Sequence, residues 1–327
     1  MNAALCVSRI DAVQPSRDQL ADDVRVGLTR CPKRLPSKYF YDSRGSHLFE
    51  QICALPEYYL TRTELSIMRE HAGAIAAALG RNVLLLEYGS GSGIKTRLLL
   101  EHLERPAAYV PVELARDALA ASVADLHNAM PQLEVLPVCA DFTTPLAPVQ
   151  PRRQPHRTVV YFPGSTIGNF GGADAVALLR KMRVEMGPLG GAVIGVDLKK
   201  DPAIIEAAYN DTAGITAQFT LNLLQRLNRE LGADFDLAAF RHRAFYNESA
   251  GRIETYLISA RAQDVHVAGI TTHFAANEAM LVELSCKYGI DDFARLAASA
   301  GLRAAQVWTD SQRLFSIQYL IRDCDAM

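Results

Sequence analysis

The chain has 327 residues, long enough for one large domain or two ordinary ones that each bury a core. Hydrophobic residues make up 49% and charged residues 21%, a balance typical of folded proteins that excludes extensive disorder. Lys and Arg number 34 against 36 Asp and Glu, and the net charge of −2 excludes the strongly basic surface of a typical nucleic-acid-binding protein.

No run of the sequence approaches the roughly 18 consecutive apolar residues of a membrane helix, and the first residues lack the pattern of a secretion signal. The six cysteines are scattered without paired or histidine-rich spacing, so we expect neither a disulfide framework nor a bound metal. We therefore expect a cytoplasmic protein with no membrane or nucleic-acid partner. We also expect a monomer.

The first half of the chain alternates between helical and strand patterns. Residues 1–36 carry three prolines and mixed charge, which predicts an irregular leader with one short helix. Apolar residues at helical spacing predict a helix from Tyr58 to Leu79. The predicted strands are the apolar runs at 82–87, 108–112, 133–138, 158–162 and 192–196. Helical patterns separate most of these strands, which predicts an α/β protein with a doubly wound, Rossmann-like sheet.

The pattern changes after Asp197. Residues 200–245 are predicted to be helical, and residues 252–267 alternate like strands of an antiparallel sheet. A last helix at 290–301 and an apolar strand at 314–321 are predicted to return to the first domain. We therefore predict a second, smaller α+β domain inserted before the last elements.

The first predicted strand ends in the glycine-rich turn EYGSGSG, which covers residues 87–93. Glycines such as Gly89 and Gly91 permit a tight turn and let a ligand approach the main chain. Their G-x-G-x-G spacing differs from the G-x-G-x-x-G of dehydrogenases, which favours S-adenosylmethionine over NAD.

Acidic residues follow the next two predicted strands. Glu113 lies 20 residues beyond Gly93, where its carboxylate can accept hydrogen bonds from both hydroxyls of a ribose. Asp141 and Phe142 follow the third predicted strand, and an acid beside an aromatic ring can hold an adenine amino group and pack against the base. The glycine turn and these residues together predict an S-adenosylmethionine site.

Four stretches of the sequence resemble one family, the histidine-specific methyltransferases of ergothioneine biosynthesis, which make the trimethylated betaine hercynine. The stretches are LPSKYFYDSRGSHLFEQICALPEYYLTRTE, LLEYGSGSGIKT, VYFPGSTIGNF and VELSCKYG. The similarity extends from about Leu35 to the C-terminus. It implies an S-adenosylmethionine-dependent enzyme that trimethylates the α-amino group of L-histidine.

The resemblance also implies two sets of site residues. Those expected to line the S-adenosylmethionine site are Tyr41, Gly89, Lys95, Glu113, Asp141 and Phe142. Those expected to bind the substrate are Tyr58, Gly164, Asn169, Tyr209, Glu283 and Ser285. The sequence departs from the family at two positions, since Glu113 replaces an aspartate and Thr255 replaces a methionine beside the imidazole. The second departure leaves the fine selectivity for the ring open.

The resemblance also indicates which ligand each predicted domain binds. Residues 60–196 with 286–327 are predicted to form the methyltransferase domain that binds S-adenosylmethionine, and residues 1–59 with 197–285 the substrate-binding domain. Substrate is expected between them.

The chemistry expected of this site is an in-line transfer from an activated donor, which requires orientation but no metal and no covalent nucleophile. The hydroxyls of Tyr58 and Tyr209 are the predicted catalytic neighbours of the amine. Glu283 is expected to accept an imidazole N–H and Ser285 to bond the other ring nitrogen.

Other interpretations remain open. Taken singly, Tyr58 could be a core aromatic, Asn169 a turn residue and Glu283 a solvated charge on a strand. The protein could methylate another aromatic amino acid or an indole amine, or bind S-adenosylmethionine without catalysis. The least favoured interpretation is that the glycine turn binds NAD and that the protein is a dehydrogenase.

Overall fold

A computed structural model describes residues 17–91 and 93–323. These residues divide into two compact units. The first unit comprises Leu60–Lys199 with residues 288–323, and the second comprises residues 17–59 with 200–287.

The first unit is built on a seven-stranded mixed sheet. Its strands are β1 (Val83–Tyr88), β2 (Ala108–Glu113), β3 (Val138–Cys139), β4 (Arg157–Phe162), β5 (Gly191–Asp197), β11 (Leu302–Thr309) and β12 (Phe315–Arg322). Their order across the sheet is β11-β12-β5-β4-β1-β2-β3. The strands β1 to β5 pair in parallel, whereas β12 pairs antiparallel with both β5 and β11. The carboxyl ends of the parallel strands therefore meet at one edge of the sheet.

Helices cover both faces of this sheet. They are α3 (Tyr59–Leu79), α4 (Ile94–Leu100), α5 (Arg116–Ala129), α6 (Gly172–Glu185) and α9 (Ile290–Ala298). Every residue of β1 is buried, and neighbouring residues of the strand enter different cores. Leu85 packs in the core that contains residues of α3, α4 and α5, and Leu86 in the core that contains residues of α6 and α9. This two-sided burial explains the continuous apolar runs, and the prediction of a doubly wound sheet is confirmed.

Two predictions for this sheet were wrong. The strand predicted at residues 133–138 is almost entirely irregular, because only Val138–Cys139 pair with β2 as a strand and Val135 forms an isolated bridge. Pro137 within that run has no N–H to donate to a ladder, which explains the short edge strand. The strand β11 was not predicted, and most of its residues are partly or fully exposed, so it lacks the apolar signal of its neighbours.

The second unit combines helices with antiparallel strands. Its helices are α1 (Arg17–Leu28), α2 (Ser43–Ala54), α7 (Pro202–Ala207) and α8 (Ile215–Leu231), with a short 3-10 helix at Ser37–Phe40. Its strands are β6 (Phe240–Asn247), β7 (Arg252–Ser259), β8 (Gln263–Val267), β9 (Ile270–Phe274) and β10 (Ala279–Cys286). One sheet has the order β10-β7-β6, and β8 pairs with β9. The smaller α+β unit was predicted, and the fold class is confirmed. The predicted leader is described only from residue 17, where α1 begins.

The prediction of helices across residues 200–245 was wrong at the end of this range. Residues 240–245 belong to β6, and the helical stretch before them is interrupted between α7 and α8. The Asp211 carboxylate accepts the backbone N–H groups of Ile215 and Thr216, each at 2.8 Å, and so satisfies donors in the first turn of α8. Asp211, three residues before the N-cap Gly214, thus stabilises the start of a new helix.

Across the described residues, no helix is both long and apolar enough to span a membrane. Within the same ranges, no group of three or more His, Cys, Asp and Glu residues is arranged to hold a metal ion.

Candidate active site

The glycine turn joins β1 to α4 at the carboxyl edge of the large sheet. Gly89 has a φ of 72° and Gly91 a φ of 49°, both in the left-handed region that favours glycine. A Cβ built on Gly91 would have no described protein atom within 4 Å. The backbone of the turn therefore borders open space, as required for close approach of a ligand.

Glu113 ends β2 beside this turn. Its Oε2 accepts a long hydrogen bond from the Gly91 N–H at 3.5 Å, and its Oε1 accepts from the N–H of Leu114 at 2.8 Å. Burial raises the pKa of this carboxyl. Since a carboxylate has about four acceptor positions, Glu113 can still accept from neighbouring hydroxyls of a ribose.

Asp141 and Phe142 follow β3 at the same edge. The Asp141 Oδ1 accepts from the backbone N–H of Thr143 at 2.9 Å and from its hydroxyl at 2.6 Å. The Phe142 ring stacks on Tyr88 with centroids 5.1 Å apart and meets Phe162 edge-on at 5.4 Å. A planar base could pack against such a cluster of rings.

Lys95 and Gly164 are brought together in the first unit by a residue that the sequence reasoning missed. The buried Glu64, on α3, accepts the Lys95 ammonium at 2.5 Å and the Gly164 N–H at 3.0 Å. Glu64 thus ties the first turn of α4 to the loop after β4. Glu64 and Gly164 are 100 positions apart, so no local sequence pattern predicts their contact.

Asn169 ends a short 3-10 helix, Thr166–Asn169, that follows this loop, and its side chain is partly exposed. Gly164 and Ser165 both have positive φ, at 77° and 56°. The buried Ser165 hydroxyl accepts the Asp197 N–H at 2.9 Å, which holds the strained turn against β5.

Four of the predicted substrate residues lie in the second unit. Glu283 and Ser285 are two positions apart on β10, so their side chains lie on one face of the sheet. The Thr255 hydroxyl, opposite Glu283 on β7, donates to the Glu283 Oε2 at 3.2 Å. Burial raises the pKa of Glu283 to about 7, against the lowering effects of the Thr255 hydrogen bond and the Lys287 charge. Glu283 is therefore a carboxyl that titrates near neutrality, and the threonine found in place of methionine contacts it.

Ser285 belongs to a buried cluster with Tyr209 and Lys287. The Tyr209 hydroxyl donates to the Ser285 Oγ at 2.7 Å, and the Lys287 Nζ donates to each of these oxygens at 2.9 Å. Lys287 was not among the predicted site residues, although the alternation of Glu283, Ser285 and Lys287 could have placed all three on one face.

Tyr58 is buried beside Tyr209, with ring centroids 6.4 Å apart, and meets Phe49 edge-on at 6.1 Å. Burial, followed by the neighbouring Tyr209, raises the pKa of Tyr58 well above its ordinary value. Tyr58 therefore keeps its proton at neutral pH. Tyr41, predicted for the cofactor site, lies in the second unit and packs edge-on against Phe49 and Phe219.

A buried carboxyl also lies just before the glycine turn. Glu87, the fifth residue of β1, accepts the hydroxyl of Thr96 at 2.7 Å and the hydroxyl of Tyr109. Burial raises its pKa from 4.5 to about 8. Glu87 is thus protonated in the folded protein at pH values where an exposed glutamate is ionised.

We expect the raised pKa of Glu87 to make stability fall as pH rises. The folded state keeps a proton that the unfolded chain releases, so this contribution is complete below about pH 4.5 and is lost as pH rises through about 8. Replacement by glutamine keeps a neutral side chain at every pH. Between pH 6 and 9, the melting temperature of the wild type should fall by several degrees more than that of Glu87→Gln. Glu70→Gln, which changes an exposed side chain, should follow the wild type, and parallel curves for all three proteins would contradict the assignment.

The residues at the edge of the large sheet fit S-adenosylmethionine. The turn offers open backbone at Gly91, the Glu113 carboxylate can accept ribose hydroxyls, and the ring of Phe142 can pack against adenine. A doubly wound sheet with these groups at its carboxyl edge defines a class of α/β proteins that bind a nucleoside-containing cofactor.

The comparisons with known proteins are more specific. The chain belongs to the family of S-adenosylmethionine-dependent, histidine-specific methyltransferases, whose sequence pattern matches residues 20–322. The resemblance found in the sequence is thus confirmed, as is the cofactor.

Curated relatives from bacteria and fungi are similar over most of the chain. A histidine N-alpha-methyltransferase of Mycolicibacterium smegmatis is 41% identical over 318 residues, which cover 95% of this chain and 97% of that protein. A protein of the same name from Mycobacterium tuberculosis is 40% identical over 91% of this chain and 93% of its own length. Ergothioneine biosynthesis protein 1 of Neurospora crassa is 33% identical over 85% of this chain and 32% of its longer sequence.

Proposed function

We propose that this protein transfers methyl groups from S-adenosylmethionine to the α-amino nitrogen of L-histidine, three in succession, to form the betaine hercynine for ergothioneine biosynthesis. Membership of the histidine-specific family and the names of the bacterial relatives support the proposal. The single observation that carries it is the partly buried Glu283 carboxyl on one face of β10 with Ser285, a pair suited to the two nitrogens of an imidazole.

In this proposal the first unit binds the cofactor. S-Adenosylmethionine supplies an activated methyl group on a sulfonium. Gly89 and Gly91 give it access to the backbone, Glu113 accepts from the ribose, and Asp141 with Phe142 holds the adenine. Lys95, anchored by Glu64, lies at the start of α4 and can donate to a cofactor carboxylate. These roles remain predictions.

Tyr58 and Tyr209 are proposed to orient the amine. A phenol whose pKa lies well above neutrality does not remove a proton as a phenolate, so Tyr58 acts as a neutral hydroxyl. Its oxygen can accept an N–H and thereby direct the nitrogen lone pair, while water takes the released proton. Aromatic faces beside the methylated nitrogen would add a cation–π stabilisation of about 0.5–2 kcal/mol.

The imidazole ring and the carboxylate end of histidine must each be bound by other groups, because the trimethylated nitrogen of the product has no N–H to donate. Glu283 is proposed to accept the N–H of the imidazole and Ser285 to bond the other ring nitrogen. Gly164 and Asn169 remain the predicted contacts of the amino-acid end. We also propose a monomer that works in the cytoplasm. The balanced charge of the chain supports the further proposal that it has no nucleic-acid partner.

Incubation of the protein with labelled S-adenosylmethionine and each of the twenty amino acids tests the proposal. We expect label to enter histidine alone and the product to gain three methyl groups by mass. Transfer to tryptophan instead would favour an enzyme for indole amines, and no transfer to any amino acid would favour a non-catalytic binding protein.

Cofactor choice gives an independent prediction. The G-x-G-x-G turn and Glu113 should bind S-adenosylmethionine and S-adenosylhomocysteine, whereas NAD should not bind at millimolar concentration. Calorimetric titration with the three ligands measures this directly. Binding of NAD without binding of S-adenosylhomocysteine would overturn the assignment of the turn.

A further inference from the structure

A buried lysine lies beside the residues proposed to bind the ring. Lys287 follows β10 directly and is 2% exposed. Its backbone N–H donates to the Gly251 carbonyl at 2.8 Å, and its ammonium donates to the Ser285 and Tyr209 oxygens. A buried charge is costly unless it is hydrogen-bonded or paired, so an ammonium kept here indicates a defined role in the cluster.

The cluster determines what Ser285 can offer a ligand. A serine hydroxyl has one hydrogen to donate and two positions at which it accepts. In Ser285 both accepting positions are occupied, one by the Tyr209 hydroxyl at 2.7 Å and one by the Lys287 ammonium at 2.9 Å. The Ser285 hydroxyl accepts in both of these hydrogen bonds, so its own hydrogen is directed elsewhere. A ligand at Ser285 therefore meets a hydrogen-bond donor.

Glu283, on the same face, offers a ligand a hydrogen-bond acceptor instead of a donor. Above its pKa of about 7, Glu283 is a carboxylate that only accepts hydrogen bonds, and the Thr255 hydroxyl already donates to it. A ring that satisfies both residues must present one bare nitrogen to Ser285 and one N–H to Glu283. A neutral imidazole has both groups, an indole has only the N–H, and a phenyl ring has neither.

We propose that Lys287 is a positioning residue that fixes Ser285 as a hydrogen-bond donor, so that the site selects the neutral tautomers of an imidazole ring. The inference rests on the proposed function, since it assumes that the ring of histidine binds between Glu283 and Ser285. Lys287 itself need not touch the substrate. Without its ammonium, an accepting position of Ser285 becomes vacant, and the hydroxyl can turn its hydrogen towards Tyr209 instead of the ring.

A double-mutant cycle on histidine binding tests this role. Histidine affinity is measured by calorimetry in the presence of S-adenosylhomocysteine for the wild type, Ser285→Ala, Lys287→Met and the double variant. The titrations are made at about pH 9, so that Glu283 stays ionised when the Lys287 charge, which lowers its pKa, is removed. Each single substitution should weaken histidine binding about tenfold, as loss of one hydrogen bond in a buried site does. Because Lys287 acts through Ser285, the double variant should bind within about twofold of Ser285→Ala. Additive losses of about 100-fold, or unchanged affinity in Lys287→Met, would overturn the inference.

A second measurement avoids any change at the buried lysine. Thiazol-4-ylalanine and thiazol-5-ylalanine each carry one bare nitrogen and no N–H, at different positions of the ring. One isomer can place its nitrogen at the Ser285 donor, whereas the other places it against the Glu283 carboxylate. The wild type should prefer one isomer about tenfold, and Ser285→Ala should lose the preference. Equal binding of the two isomers by the wild type would contradict the fixed donor.

The controls separate this inference from the proposed function. S-Adenosylhomocysteine affinity and melting temperature show whether each variant is folded, and we expect cofactor affinity to be unchanged in all of them. If the wild type methylates histidine but the cycle is additive, only the role of Lys287 is wrong. If the wild type neither binds nor methylates histidine, the proposed function is wrong and the inference is overturned with it.

Discussion

Replacement of Glu283 by alanine is expected to lower kcat/KM for histidine by about 5- to 150-fold, because a ring N–H that loses its buried acceptor costs roughly 1–3 kcal/mol. The substitution also removes a partly buried carboxyl and enlarges the space around the ring. Tryptophan has a larger ring than histidine, so the added space should reduce the discrimination against it. The measurement is the ratio of kcat/KM for histidine to that for tryptophan in the wild type and the variant.

The sheet that holds Glu283 also provides a matched control. Glu254 lies on the neighbouring strand β7, directly before Thr255, so its side chain points to the opposite face from the Thr255–Glu283 pair. Glu254→Ala removes a glutamate side chain from the same sheet and should leave the histidine-to-tryptophan ratio unchanged. Should Glu283→Ala and Glu254→Ala change the ratio equally, or not at all, Glu283 would be a structural charge rather than a specificity residue.

Replacement of Gly91 by valine is expected to weaken S-adenosylhomocysteine binding by a factor on the order of 100 or more. A branched side chain at a φ of 49° is strained by about 1–2 kcal/mol, and relief of the strain would move the N–H that faces Glu113. The side chain would also fill the open space beside the turn. Calorimetric titration with S-adenosylhomocysteine measures the loss, and Gly91→Ala should show a smaller one.

Gly80 allows the effect of strain to be separated from the effect of position. It has a φ of 79° and equally open surroundings, but it precedes β1 instead of following it. Gly80→Val should lose stability through the same backbone strain while keeping wild-type affinity for S-adenosylhomocysteine. Equal affinities in folded Gly80→Val and Gly91→Val would show that the turn is not where the cofactor binds.

The sequence determined the elements whose signal is local. The strands β1, β4 and β5 are buried on both faces, so their continuous apolar runs allowed them to be predicted. The predicted helix from Tyr58 to Leu79 differs from α3 by one residue. The strands β3 and β11 lie at the edges of the sheet, where one side has no partner strand and less apolar surface is buried. Edge strands therefore carry a weaker pattern, and both were mispredicted.

For the candidate site, the glycine turn, the acidic residues after the strands and the resemblance to the histidine-specific family could be predicted from the sequence. These features depend on residues close together in the chain or on long matching stretches. The contacts between these side chains could not be predicted and are visible only in the folded protein. Glu64 reaches the Gly164 N–H across 100 positions, and Tyr209 reaches the Ser285 hydroxyl across 76. Such contacts are fixed by the packing of distant elements, and so is the burial that raises the pKa of Glu283 to about 7. No spacing in the sequence encodes them.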